Sequence, residues 1–83
     1  MYTVEIKNKA KKEMQSLPKK DQQRLLAAFD VLRVNPLAGK QLHDKYKGLR
    51  SLRVWPYRVI YAVDHGIITV TIVKVGHRKD VYQ

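Results

Sequence analysis

Apolar residues recur along this chain with two different spacings, and the change of spacing separates a helical first half from a stranded second half. Residues 2–6, YTVEI, alternate and are rich in β-forming side chains, which predicts a short leading strand. Over residues 8–17 the apolar positions Ala10, Met14 and Leu17 fall at i, i+4 and i+7, one stripe of a short amphipathic helix with Asn8 as its expected cap and its lysines outward. Ser16 and Pro18 mark a break and a new helix start, because a proline in the first turn lacks an N–H that would have no partner there anyway. This second helix is expected over about 18–34, with Leu25, Leu26, Phe29 and Leu32 on one side and a stop at Asn35-Pro36. Beyond it, residues 49–54 (LRSLRV), 57–63 (YRVIYAV) and 67–75 (IITVTIVKV) are β-branched and aromatic runs that read as three antiparallel strands. Trp55-Pro56 makes the first tight connection. Asp64-His65-Gly66 makes the second, with Gly66 expected to supply a positive φ. Residues 37–48 form a basic connection holding Gly39 and Gly48. The predicted fold class is α+β: an N-terminal strand, a helical hairpin, then a three-stranded antiparallel meander forming a curved sheet, the helices covering one face.

Strand side chains alternate with period two, so parity assigns them to faces. Ser51 and Arg53 share a side, and Arg50 should face the other way unless a bulge turns it back. Arg58, Ile60 and Ala62 lie opposite Tyr57, Val59, Tyr61 and Val63, the tyrosines being read as core, while Lys74 falls in phase with Ile68, Val70 and Ile72. Both faces thus carry apolar residues, yet two helices cover only one. Either the arginine-bearing face is a concave site, or a partner protein covers it.

Composition narrows the class. A chain of 83 residues with 45% hydrophobic content forms one small domain, 1–83, whose margin of stability is thin. Without cysteine it has no disulfide, thiolate nucleophile or cysteine-ligated zinc, and a reducing cytoplasm is the natural setting. No stretch has the apolar length of a signal peptide or a membrane span, so a soluble, cytoplasmic protein is expected. Charge is the strongest global feature: 17 Lys+Arg against 7 Asp+Glu give +10. From Lys45 onward only Asp64 and Asp80 are acidic, whereas Lys45, Lys47, Arg50, Arg53, Arg58, Lys74, Arg78 and Lys79 are basic. Cations so concentrated repel one another unless a polyanion sits among them. Three scattered histidines and isolated carboxylates offer no metal site and call for no cofactor.

The run LRVWPYRVIYAVDHGIITVTIVKVGHRKDVY resembles the C-terminal half of the RelE/ParE superfamily of toxins from type II toxin–antitoxin systems, and LPKK and NP in the helical half are similar to the family as well. The resemblance implies the small RelE-like fold and, for the RelE branch, an endoribonuclease that cuts messenger RNA, commonly in the ribosomal A site, and so inhibits translation. It implies a cognate antitoxin as partner, with mRNA and the ribosome as targets. By position it assigns Arg53, Arg58, His77, Arg78 and Tyr82 to catalysis, with Lys45, Lys47, Arg50, Lys74 and Lys79 as further RNA-binding cations. Ser51 departs from the pattern, standing where RelE carries a second basic residue. A ParE-like toxin that inhibits DNA gyrase through protein contacts is the alternative, and a basic RNA-binding domain without catalysis is a third reading.

The chemistry of RNA agrees with the first. Its own 2′-OH attacks the adjacent phosphate without a metal if a proton acceptor, cations on the phosphorane oxygens and a donor to the 5′-oxygen are supplied. Arginine suits the middle role, since its planar fork binds phosphate at two points and stays charged. Arg58 and Arg78 are the expected clamps, with Arg53 assisting. His77, an imidazole that titrates near neutrality, is the expected acid or base, and Tyr82 its partner or a base-stacking platform.

Overall fold

The computed structural model describes residues 1–82. A first strand, β1 (Thr3–Ile6), leads into helices α1 (Asn8–Gln15) and α2 (Lys19–Val34). A two-residue strand, β2 (Lys40–Gln41), and a 3₁₀ turn (Asp44–Tyr46) follow, then the meander β3 (Arg50–Val54), β4 (Tyr57–Asp64) and β5 (Thr69–His77). The sheet order is β1-β5-β4-β3-β2. The predicted α+β fold is present, and the meander is widened at both edges: β1 adds in parallel to β5, with Val4 against Val70 and Ile6 against Ile72, and β2 adds antiparallel to β3.

Helical periodicity decides what packs. Ala10 and Met14 from α1, with Leu25, Phe29 and Leu32 from α2, close over Tyr57, Val59, Tyr61, Val70, Ile72 and Val75 on one sheet face. Leu26 does not join them. It is one residue, about 100° of turn, from Leu25, and it stays half exposed. Asn8 is the first residue of α1 rather than its cap; Lys7 takes that place in extended conformation, and no side chain caps the helix.

Two local details differ from the expectations. Gly66 has no positive φ. The Asp64 carboxylate accepts the Gly66 and Ile67 N–H groups at 2.9 and 3.2 Å, which closes the turn, and the left-handed residue is Ile68, at φ 51°. The second difference re-aims a strand. Opposite β4, Ile60 pairs with Lys74 but Tyr61 pairs with Ile72, so Val73 is an extra residue, a β-bulge. Every side chain after it changes face. Lys74 therefore stands beside Ile60 on the arginine-bearing face, not in phase with Val70 and Ile72, which belong to the core.

Candidate functional site

Directly opposed residues of an antiparallel pair point to the same face, about 5 Å apart. The register therefore lays out the face away from the helices as two rows. Lys40, Ser51, Ile60 and Lys74 form one, running across β2, β3, β4 and β5. Arg53, Arg58 and Gly76 form the next. Like charges set directly opposite one another are unfavourable for a sheet. Among the described residues neither Arg53 nor Arg58 has an acidic partner; the ion pairs join Arg24 to Asp21 and Arg33 to Asp30, both along α2. Arg53 and Arg58 border an open cavity of about 310 Å³ whose other walls are Ala38, Gly39, Lys40, Ser51 and Leu52.

The cavity wall is held in place from the core. Tyr61 is fully buried, and its hydroxyl donates to the Pro36 carbonyl at 2.8 Å while accepting the Gly39 N–H at 2.8 Å. Burial pushes this phenol above its ordinary range, against the Gly39 N–H and the Arg50 charge, which lower it. Gly39 has no room for a side chain: a Cβ would lie 2.6 Å from the Tyr61 hydroxyl. Arg50 faces as parity requires, opposite Tyr61 on the core side, and its guanidinium donates to the Gly39 carbonyl at 2.8 Å. It braces the wall from behind.

Residues 78–82 fold back over the arginine face. After β5 the His77 carbonyl accepts the N–H groups of Asp80 and Val81, and this turn carries Val81 onto Gly76. Val81 and Ile60 are buried outside the main core cluster, so the chain's own tail covers part of the second apolar face. Tyr82 follows, donating its hydroxyl to Ser51 Oγ at 3.1 Å, while its carbonyl accepts the Tyr46 hydroxyl at 2.5 Å and the two rings meet edge to face. Ser51 is buried and thus anchors the tyrosine.

Of the expected catalytic residues, the structure brings together Arg53, Arg58 and Tyr82. Arg78 lies at the hairpin end of the same region, its guanidinium 4.6 Å from the centroid of the Trp55 indole and its N–H on the Pro56 carbonyl. His77 is not among them. It pairs with Tyr57 on the core side, their rings 6.5 Å apart, and its Nδ1 accepts the Lys79 N–H at 3.3 Å, so that in the neutral ring Nε2 carries the proton. The bulge at Val73 is the reason. Lys45 lies over the Tyr46 ring at 5.2 Å, and Lys47 and Lys79 are exposed in the two segments that meet at Tyr46 and Tyr82. Lys40, Tyr46 and Trp55 escaped the sequence reading as site residues. Lys40 sits in a strand too short to show a period, and Tyr46 meets Tyr82 from 36 positions away.

Comparison with known proteins follows the same lines. Residues 4–82 match the family model described as the ParE toxin of type II toxin–antitoxin systems, parDE. The chain belongs to this family. It is 36% identical to the toxin RelG of Mycobacterium tuberculosis over 88 aligned positions, covering 99% of this chain and 97% of that toxin. Its fold superposes on the crystal structure of the toxin–antitoxin complex RelBE2 from the same organism with a TM-score of 0.87 at 34% identity, over 93% of this chain and 98% of the other. The archaeal RelE–RelB complex from Pyrococcus horikoshii OT3 is similar at a TM-score of 0.82 and 31% identity, over 96% and 98%. The chain is thus a toxin of the RelE/ParE superfamily. Among the described residues no helix is long and apolar enough to cross a membrane, and no three His, Cys, Asp or Glu side chains group as a metal site.

Proposed function

We propose that this toxin is an endoribonuclease that cuts messenger RNA on the ribosome without a metal. The observation that carries the reading is the Arg53–Arg58 pair: two cations fixed opposite each other, without an acidic partner among the described residues, on the rim of an open cavity. An RNA phosphate between them relieves their repulsion and receives the forked donors it needs. The 2′-oxygen then bonds to phosphorus as the bond from phosphorus to the 5′-oxygen breaks, leaving a cyclic phosphate and a 5′-hydroxyl. The proton that the 2′-hydroxyl loses is in net the one that the 5′-oxygen gains, and the Tyr82 hydroxyl, held on this face by Ser51, is the group that relays it. Lys40 stands directly across from Ser51 and supplies the row with the cation that position lacks. Arg78 takes the flanking strand. His77 belongs to the opposite face, and the reading gives it no contact with the scissile phosphate.

The relatives in M. tuberculosis and P. horikoshii are seen in complex with their antitoxins. By the same reading a cognate antitoxin binds this chain in the cytoplasm and covers the arginine face. The family model's description as ParE favours a second reading, a toxin that inhibits DNA gyrase through protein contacts. Mapping mRNA 5′ ends after induction in growing bacteria separates the two. Cuts inside translated codons that vanish with Arg58→Ala and persist with His77→Ala support the nuclease and its face; growth arrest with intact messages refutes it in favour of the gyrase-type toxin.

A further inference from the structure

Trp55 is the one tryptophan of the chain, and the fold does not use it for packing: it is 56% exposed and stands outside the core cluster. Its backbone is held on both sides. Arg24 of α2 donates to the Trp55 carbonyl at 2.7 Å, and the Arg78 N–H donates to the adjacent Pro56 carbonyl at 2.9 Å. The Arg78 guanidinium lies over the indole, 4.6 Å from its centroid. Trp55 is the first residue of the turn after β3, two residues and so no more than about 7 Å of backbone beyond Arg53, a span that one nucleotide of an extended strand covers. An indole on a pinned backbone, beside a cation and one step from a phosphate clamp, has the parts of a single-strand stacking site.

We propose that Trp55 is the nucleobase platform of this toxin, stacking on an unpaired base next to the phosphate held by Arg53 and Arg58; the inference rests on the RNA-cutting reading above. Because every base has a π-face, the platform positions the strand without choosing a sequence by hydrogen bonds, and Arg78 adds a cation to the same stack.

The single indole makes the test direct. Tryptophan fluorescence of the purified chain is titrated with a short single-stranded RNA made uncleavable by 2′-O-methyl groups, and with an abasic oligonucleotide of equal charge. The RNA should quench the indole and the abasic chain should not; with the affinity of the indole-free variants read by the anisotropy of an end-labelled RNA, Trp55→Ala should bind about tenfold more weakly while Trp55→Phe keeps most of the affinity. Binding by the wild type without quenching, equal quenching by the abasic chain, or unchanged affinity in Trp55→Ala would overturn the platform and leave the nuclease reading standing. Binding of neither oligonucleotide would overturn the platform, and failure of the same chain to cut mRNA on translating ribosomes would overturn the nuclease reading as well.

Discussion

The two faces of the sheet are built by different rules. On the helix side Val59, Tyr61, Val70 and Ile72 have no exposed surface, and Tyr61, the polar member of the four, has its hydroxyl satisfied twice. On the other side Arg53 and Arg58 oppose each other on the rim of an open cavity, and among the described residues Ile60, Ser51, Thr69 and Val81 are buried there. The first face lowers the free energy of the fold, and the second raises it by holding like charges together. Such local conflict is expected where a surface is shaped for something outside the chain. Stability and function should therefore respond separately to mutation.

The largest contrast lies in the core. Phe29→Ala should lower the unfolding free energy by about 3–5 kcal/mol, much of what a chain of this size has, and thermal melting should show it. Arg58→Ala should act on the other side of the ledger: cutting falls about 10²- to 10³-fold, read by the rate of mRNA cleavage, while the melting temperature holds or rises because repulsion from Arg53 is gone. Gly39→Ala couples the faces. Its methyl group must displace Tyr61 or the β3 backbone, and a loss of about 1–3 kcal/mol in denaturant unfolding, with slower cutting, is expected.

Smaller effects sharpen the picture. The Tyr57 hydroxyl donates to Asp21 at 2.6 Å, and that hydrogen bond, burial and the Asp21 charge raise its pKa above the ordinary 10.0, with Arg24 acting the other way. Tyr61 is raised as well. Both phenols stay protonated longer in the native state than in the unfolded chain. Their contribution is complete below about pH 10 and is lost as pH climbs through the raised native values. Tyr57→Phe should cost about 1 kcal/mol at neutral pH and flatten the alkaline decline, as followed by melting between pH 8 and 11. Lys40→Ala should do least, weakening RNA binding a few-fold and reducing its salt dependence by about one charge.

The helix-side face was legible because it rests on local periods. Ala10 and Met14, Leu25, Phe29 and Leu32, and the alternation through Tyr57, Val59 and Tyr61 announce burial within a few residues of one another. The arginine face was legible only where strand parity is unbroken, as for Ser51, Arg53 and Arg58. One bulge at Val73 was enough to exchange the faces of Lys74 and His77, because a period of two has no memory across an inserted residue. Ser51, Tyr82 and Tyr46 meet through hydrogen bonds spanning more than thirty positions, which no local pattern signals. Leu26 reads as core by hydrophobicity alone, and the angle between neighbouring helix positions turns it out. The glycine expected to carry the second hairpin was relieved of that role by the Asp64 carboxylate.

That the arginine face does the cutting, and does it independently of the core, is tested most directly by one paired measurement. Purified wild-type chain and Arg58→Ala are each given mRNA on translating ribosomes, and the rate of cleavage is recorded beside the melting temperature of the same samples. At least a hundredfold slower cutting at an unchanged or higher melting temperature is the predicted result. Cutting at the wild-type rate, or a loss of cutting that merely follows a loss of fold, would contradict it.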